Sequence, residues 1–219
     1  MKLQKQYETI NGQDIVFHGS LKGDMEKVFP NKCKHEHAYV YASENIPLCI
    51  IFGVKRNGEN IDFGVNKKGV VYINELYDGA FEDRFAGRSC YLYKLPKNQF
   101  SLETEYIELV SKKPVDVIEC ECIPDAAKYL EKCQELGWLT IGRYKDYSKK
   151  QKKEALEILK LALKRYVGFK SISSQQYDEL DEKSKLQYDI KKQRAEFCHS
   201  KFPELMKELE QQNEDALNL

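Results

Sequence analysis

The chain lacks any long hydrophobic run and any surplus of charge. No apolar stretch approaches the roughly 18 residues that a membrane-spanning helix requires. The 35 basic residues balance 35 acidic ones, so the chain as a whole has no net charge that would attract nucleic acid or an anionic surface. We therefore expect no membrane partner and no generally basic nucleic-acid-binding protein.

The sequence also lacks a secretion signal and a disulfide framework. Its first residues, MKLQKQYETINGQD, contain no apolar stretch of the kind that directs secretion. The cysteines are odd in number and follow no framework spacing; they are Cys33, Cys49, Cys90, Cys120, Cys122, Cys133 and Cys198. We expect reduced thiols and a cytoplasmic location.

What the sequence does contain is typical of a globular protein. Hydrophobic residues make up 42% of the 219 residues, enough to bury a core without disulfides or metal. Short apolar runs separated by turn residues predict strands over the first 125 or so residues. The runs lie at 15–17, 39–42, 48–54, 70–73, 90–95, 106–110 and 115–120. The run at 48–54, LCIIFGV, also fits a helix.

The rest of the chain is predicted to be helical. Amphipathic spacing extends over residues 125–138 and 149–169, and one or two further helices, divided near Phe202-Pro203, follow at 175–212. We predict an α+β protein with a β-rich domain over residues 1–145 and a helical extension over residues 146–219. The amphipathic C-terminal helices are also candidates for a homodimer contact.

Two segments of the β-rich region end in residue types suited to ligand binding. In FHGS (17–20), a histidine that can donate or accept a hydrogen bond precedes a glycine that admits close approach to the backbone. An ordinary strand ending in a turn is the alternative. In AYVYASENIPLCIIF (38–52), Tyr41 and Phe52 offer ring faces to a planar ligand, unless both are core aromatics.

A third segment, SLETEYIELVSKKPV (101–115), contains several glutamates. Strand alternation places Glu108 on the same face as Tyr106 and Val110. Because burial of an unpaired carboxylate is costly, Glu108 is the better candidate for a functional acid and Glu105 for a solvated position. Surface glutamates without a function are the alternative.

In this order, the three segments resemble the His-Tyr-Glu branch of the ADP-ribosyltransferase superfamily, which includes diphtheria-toxin-like and poly(ADP-ribose) polymerase-like enzymes. Compact bacterial members share a YHGS opening, a VYAT middle and an E-W-V-S-x-x-P-V ending. The matching stretches here are FHGS (17–20), VYAS (40–43) and ELVSKKPV (108–115). The resemblance covers roughly residues 14–125 and implies a split β-sheet core that binds NAD⁺ as a substrate.

The resemblance implies a role for each residue that would hold NAD⁺. His18 would hydrogen-bond a ribose hydroxyl, Gly19 would pair its backbone with the nicotinamide carboxamide, and Ser20 would support that turn. Tyr41 would stack on the nicotinamide ring, with Phe52 as the opposing aromatic wall. Ser43, at the end of the VYAS motif, belongs to the same binding site.

The resemblance also implies a catalytic acid. Glu108 would bind the 2′-hydroxyl of the nicotinamide ribose and stabilise the positive charge that develops as nicotinamide leaves. Glu105 is the second candidate, because TEYIEL (104–109) also resembles the Glu-Tyr-Ile segment of the polymerase-like enzymes. The expected reaction is transfer of ADP-ribose to a protein or nucleic-acid acceptor with release of nicotinamide.

The chain departs from the family at two points, and two other functions stay open. The family's small Ser-Ala pair is replaced by residues 46–49, IPLC, and the tryptophan after the glutamate is Leu109. One alternative is an inactive NAD-binding interaction module. The other is an RNA 2′-phosphotransferase-like enzyme, which needs arginines in the cleft. The arginines of the β-rich region, none beside the motifs, are Arg56, Arg84 and Arg88.

Two further patterns favour ordinary structure. CKHEH (33–37) places three metal-competent side chains at alternate positions, but no second pair stands at a zinc-finger spacing, so we predict no metal site. The stretch KKQKK (149–153), continued by Lys160, Lys164 and Arg165, is a local basic patch. We interpret it as the solvated face of a helix, with a phosphate backbone or an acidic partner as the alternative.

Overall fold

The protein has an α+β fold built from two compact units. The computed structural model describes residues 5, 6, 8–31, 37–102 and 108–217. The first unit comprises residues 1–55, 63–74 and 81–142, and the second comprises residues 56–62, 75–80 and 143–219. The last boundary, after Gly142, is close to the predicted division at residue 145, but the helical unit also takes in two short earlier segments that the sequence did not reveal.

The first unit carries the strands and three short helices, apart from a few terminal residues. In chain order its elements are β1 (Thr9–Ile10), β2 (Gln13–Ser20), β3 (Lys27–Val28), β4 (Val40–Ala42), α1 (Ile46–Gly53), β5 (Ile61–Val65), β6 (Val71–Glu75), α2 (Ala80–Phe85), β7 (Cys90–Pro96), β8 (Ser101–Leu102), β9 (Leu109–Ser111), β10 (Val115–Asp116), β11 (Glu119–Ile123), α3 (Ala126–Glu135) and β12 (Leu139–Gly142). A terminal residue or two of β5, β6 and α2 belong to the second unit.

These strands form separate small sheets. The largest has the antiparallel order β1-β2-β7-β11, and a second has the antiparallel order β4-β9-β8. The described residues also form the two-stranded sheet β10-β3 and the three-stranded sheet β12-β6-β5, in which β12 is parallel to β6. An isolated bridge between Phe17 of β2 and Ser43, just after β4, joins the two antiparallel sheets.

One buried cluster of this unit lies between those two sheets. Strand alternation sends every second side chain inward, and β-branched and aromatic residues fill the space. The buried residues of this cluster are Val16, Val28, Val40, Ala42, Tyr93, Leu95, Leu109 and Val115. Tyr41, which alternates with Val40 and Ala42, is therefore directed to the opposite face of β4.

Several local predictions change in the structure. The run at 48–54 belongs to helix α1, whose first turn is capped by the Asn45 side chain accepting from the Leu48 amide at 2.9 Å. The run at 115–120 divides between β10 and β11. Glu108, expected within a strand, immediately precedes β9. Glu105 lies outside the described residues.

Helix α1 crosses strand β2 at very close range. A Cβ atom added to Gly19 would lie 1.8 Å from the carbonyl oxygen of Cys49, and one added to Gly53 would lie 3.1 Å from the Gly19 backbone. No side chain fits between the two backbones at this crossing. The glycine that the sequence suggested for close approach of a ligand is thus already required for close approach of a helix.

The second unit is a helical cluster around its own core. Its helices are α4 (Lys149–Leu163), α5 (Ser174–Asp178), α6 (Glu182–Lys201) and α7 (Pro203–Leu217), and α6 and α7 divide at Phe202-Pro203 as predicted. The buried core residues are Leu76, Ala155, Leu159, Leu163, Tyr166, Ala195, Cys198, Met206 and Leu209. Among the described residues, no helix combines the length and the apolar character needed to cross a membrane.

The close crossing predicts that Gly19→Ala is strongly destabilising. The added methyl group would overlap a backbone carbonyl that cannot move without displacing α1, so the free energy of unfolding should fall by about 3 kcal/mol or more. Urea denaturation measures this change. The neighbouring substitution Ser20→Ala, which removes one partly exposed hydroxyl and its hydrogen bond from the Lys22 amide, should change it by about 1 kcal/mol or less. Equal stability of the two variants would contradict the crossing.

Candidate active site

A cavity of about 710 Å³ opens in the first unit, beside the point where the two antiparallel sheets meet. This volume is within the range of small-molecule and cofactor sites, about 300–1,000 Å³. Strands β2 and β4, helix α1, the segment 22–31 and Glu108 all contribute to its lining. The residues predicted from the sequence that line it are His18, Gly19, Ser20, Tyr41, Ser43, Phe52 and Glu108.

His18 is held in one orientation by the backbone of β4. Its Nδ1 atom lies 2.7 Å from the carbonyl oxygen of Tyr41. A carbonyl oxygen can only accept, so Nδ1 carries the proton and donates, and the Nε2 atom of the neutral ring is left as an acceptor. Burial lowers the pKa of His18 below its usual value of 6.5, although the bond to Tyr41 acts in the opposite direction. At neutral pH the ring is therefore uncharged, and its Nε2 atom is suited to accepting a hydrogen bond from a ligand hydroxyl.

Gly19 presents its backbone to the cavity. Phe17 exchanges both of its backbone hydrogen bonds with Ser43, each at 2.8 Å. Along a strand the amides and carbonyls of residues two apart point to the same edge, so those of Gly19 point the same way as those of Phe17. The described part of β4 pairs with β2 only through the Phe17–Ser43 bridge, so this edge of Gly19 faces the cavity.

Ser43 is primarily a structural residue at the cavity wall. It is buried, its backbone is paired with Phe17, and its hydroxyl accepts from the Asn45 amide at 3.1 Å. The adjacent Glu44 is also buried: burial raises the pKa of its carboxyl group, but hydrogen bonds from Lys5 and Lys97 outweigh that effect and lower it. These contacts fix the end of β4 and the start of α1.

The two aromatic residues of the second motif differ in their surroundings. Tyr41 is half-buried and packs edge-on against Tyr39, with ring centroids 6.0 Å apart. Phe52 is 56% exposed and contacts Phe63 edge-on, with ring centroids 5.6 Å apart. A large aromatic ring exposed at the edge of a cavity has face area available to a planar ligand.

Glu108 lies at the same cavity, opposite the end of β4. The register Ala42↔Leu109, continued by one residue, places Glu108 level with Ser43. The side chain is half-buried. Glu108 also lies close to Cys49 of α1. Burial raises the pKa of the Cys49 thiol strongly, and the negative charge of Glu108 raises it further. The carboxylate thus shares one cavity with His18 and Tyr41.

The sequence did not reveal the segment 22–31, which forms part of the wall. Lys22, Met25 and Phe29 line the cavity, and Phe29 is 66% exposed. The segment is tied to the sheet by Tyr93, whose hydroxyl donates to the Lys22 carbonyl at 2.8 Å and accepts from the Met25 amide at 3.3 Å. Burial raises the pKa of Tyr93 to about 12, so this hydroxyl keeps its proton.

Ser20 and the CKHEH segment contribute less to the site. The Ser20 hydroxyl accepts from the Lys22 amide at 3.1 Å, which stabilises the turn after β2. Cys33 and His35 lie outside the described residues. Within the described ranges, no cluster of three histidine, cysteine or acidic side chains could hold a metal ion.

Comparisons with protein-family profiles, curated proteins and solved structures found no match. The interpretation of this site therefore depends on its geometry and on the three motifs. Around a single cavity, that geometry combines four features: the His18 ring nitrogen that can accept a hydrogen bond, the backbone edge of Gly19, the exposed ring of Phe52 and the Glu108 carboxylate.

The half-buried, neutral His18 predicts that stability falls in mild acid. Below pH 6.5 the unfolded chain takes up a proton that the folded ring resists, so stability is complete above that pH and decreases as the pH falls toward the lowered pKa. We expect the free energy of unfolding to drop more for the wild type than for His18→Gln between about pH 7.5 and about pH 5.5. Urea denaturation at both pH values tests this. Identical losses in the two proteins would contradict it.

Proposed function

We propose that the protein is an NAD⁺-consuming ADP-ribosyltransferase whose active site is the cavity of the first unit. The observation that carries the proposal is that His18, Tyr41 and Glu108, separated by many residues in the sequence, line this one cavity. Their order along the chain and their positions at strand ends are those of the His-Tyr-Glu branch. The two small sheets that meet at Phe17 and Ser43 also fit the split β-sheet expected of that branch.

In this proposal NAD⁺ binds as the substrate and each residue has a chemical role. The Nε2 atom of His18 accepts a hydrogen bond from a ribose hydroxyl, and the backbone amide and carbonyl of Gly19 form hydrogen bonds with the nicotinamide carboxamide. Tyr41 and Phe52 contact the nicotinamide ring. The Glu108 carboxylate accepts from the 2′-hydroxyl and stabilises positive charge at C1′.

The reaction breaks the bond between C1′ of the ribose and N1 of nicotinamide. The bonding electron pair leaves with nicotinamide, which becomes neutral, and C1′ develops the positive charge that Glu108 stabilises. An acceptor nucleophile then forms a bond to C1′ and releases its proton to solvent. The acceptor is a protein or nucleic-acid group, and water takes its place when no acceptor is present.

The lining favours this chemistry over 2′-phosphotransfer. Among the described lining residues the only basic side chain is that of Lys22, and no arginine is present. Of the arginines in the β-rich region, Arg84 is buried and donates to the Ile51 carbonyl at 3.4 Å. A phosphotransferase site would need such side chains aimed at phosphate. The inactive binding module is tested by the experiment below.

Replacement of Glu108 should abolish turnover while sparing the binding of NAD⁺. Glu108→Gln keeps the size of the side chain and removes its charge, so nicotinamide release should fall by about 10²-fold or more. Nicotinamide is measured by chromatography, and NAD⁺ binding by calorimetry. Glu135→Gln, a matched change at an exposed position on α3, should leave both quantities unchanged.

The outcomes separate the three functions. Release by the wild type that is lost only in Glu108→Gln supports the transferase. Binding of NAD⁺ without release from any variant supports the inactive binding module. Absence of both binding and release would contradict the assignment of NAD⁺ to this cavity.

Removal of the exposed ring should weaken NAD⁺ binding. An aromatic contact to a planar ligand base contributes about 1–3 kcal/mol, so Phe52→Ala should raise the dissociation constant about 5- to 150-fold. Because Phe52 is largely exposed, folding should be little affected. Leu136→Ala removes another exposed apolar side chain outside the cavity and serves as the control in the same calorimetric titration. Unchanged affinity in Phe52→Ala would exclude the ring from the site.

A further inference from the structure

A second cavity, of about 280 Å³, lies wholly within the second unit. Its lining residues come from α6, from the segment just after the end of α4, and from the short segment 56–62. Four of its lining residues are basic and one is acidic; they are Arg56, Arg165, Lys191, Arg194 and Glu59. The cavity is therefore strongly cationic in a chain whose net charge is zero.

The single carboxylate is already neutralised. Glu59 is buried, forms an ion pair with Arg56 and accepts from the Tyr166 hydroxyl at 2.9 Å. The Arg56 guanidinium is anchored further by donation from its Nε atom to the Gly58 carbonyl at 3.3 Å. Burial raises the pKa of Tyr166 to about 12, so the hydroxyl remains a donor. The single negative charge of Glu59 is thus already paired with Arg56 and does not neutralise the other three cations.

Those three cations have more donors than the described residues can satisfy. Of the donors of Arg194, only Nε bonds to a described residue, and it donates to the Arg56 carbonyl at 3.4 Å. Lys191 lies over the Phe169 ring, 5.7 Å from its centroid, and forms no ion pair with a described residue. Arg165 is exposed and has no hydrogen bond or ion pair to any described side chain. Their positive charges repel one another across the cavity, and a bound anion would relieve this.

We propose that this cavity binds a compact phosphate-bearing anion, with pyrophosphate as the representative ligand. Arginine forks pair with phosphate oxygens in a bidentate manner. The cavity offers two arginines, Arg165 and Arg194, whose Nη groups form no hydrogen bond to a described residue. Its volume of about 280 Å³ is at the lower edge of the range for drug-sized organic ligands, about 300–1,000 Å³, and accommodates a small anion. A compact group of four cations also favours a compact ligand over an extended nucleic-acid backbone, which needs a row of contacts.

The test is a calorimetric titration of the full chain with pyrophosphate at constant ionic strength. Arg165→Gln removes a charged donor that makes no contact needed for folding, so the dissociation constant should rise about tenfold or more. Lys164→Gln removes the same charge from the adjacent exposed position, which does not line the cavity, and should change it by less than about twofold. Both variants should melt within a few degrees of the wild type.

Four results would overturn the proposal. The first is no pyrophosphate binding by the wild type. The second is an equal effect of Arg165→Gln and Lys164→Gln, which indicates a diffuse basic surface. The third is tighter binding of a single-stranded oligonucleotide than of pyrophosphate, which indicates an extended nucleic-acid contact. Pyrophosphate binding that survives in Arg165→Gln places the anion elsewhere and also contradicts the site, whatever the fate of NAD⁺ in the first cavity.

Discussion

The contact between helix α1 and strand β2 is the constraint on which the first cavity depends. Because Gly19 and Gly53 carry no side chains, the two backbones meet, and the Cys49 carbonyl occupies the place of a Cβ atom. Three consequences follow from this crossing. Helix α1 brings Leu48, Cys49 and Phe52 to the cavity wall, β2 is held with the free edge of Gly19 toward the cavity, and the cap of α1 holds the end of β4. A larger residue at Gly19 would displace the helix and the wall with it.

The electrostatic character of the cavity follows from the same packing. Burial keeps His18 neutral, and the Tyr41 carbonyl selects the tautomer in which Nε2 accepts. Burial keeps the Cys49 thiol protonated, so it is no nucleophile at neutral pH. Glu108 is then the one acidic side chain among the described lining residues. A cavity with one carboxylate and an uncharged histidine that accepts a hydrogen bond suits a substrate that becomes positively charged during the reaction.

Sequence patterns predicted the parts of this structure that depend on local chemistry. The strand ends at FHGS and VYAS and the break at Phe202-Pro203 follow from turn residues and alternation, and the structure shows them. The sequence did not decide between helix and strand for α1, because this helix is buried almost all round and has no polar face that would reveal its periodicity. Asn45 before Ile46-Pro47 is nevertheless a signal for the start of a helix. The segment 22–31 carries no such pattern. Its position depends on hydrogen bonds to Tyr93, some 70 residues away in the sequence. The helical unit likewise depends on a long-range contact, the hydrogen bond from the Tyr166 hydroxyl to Glu59.

The most direct test of the central claim is a crystal structure of Glu108→Gln with NAD⁺, since this variant should bind the intact dinucleotide without cleaving it. We expect the nicotinamide ring against Tyr41, the carboxamide on the Gly19 backbone and a ribose hydroxyl within hydrogen-bonding distance of the His18 Nε2 atom. An empty first cavity at saturating NAD⁺, or a dinucleotide bound elsewhere on the chain, would contradict the claim that this cavity is the active site.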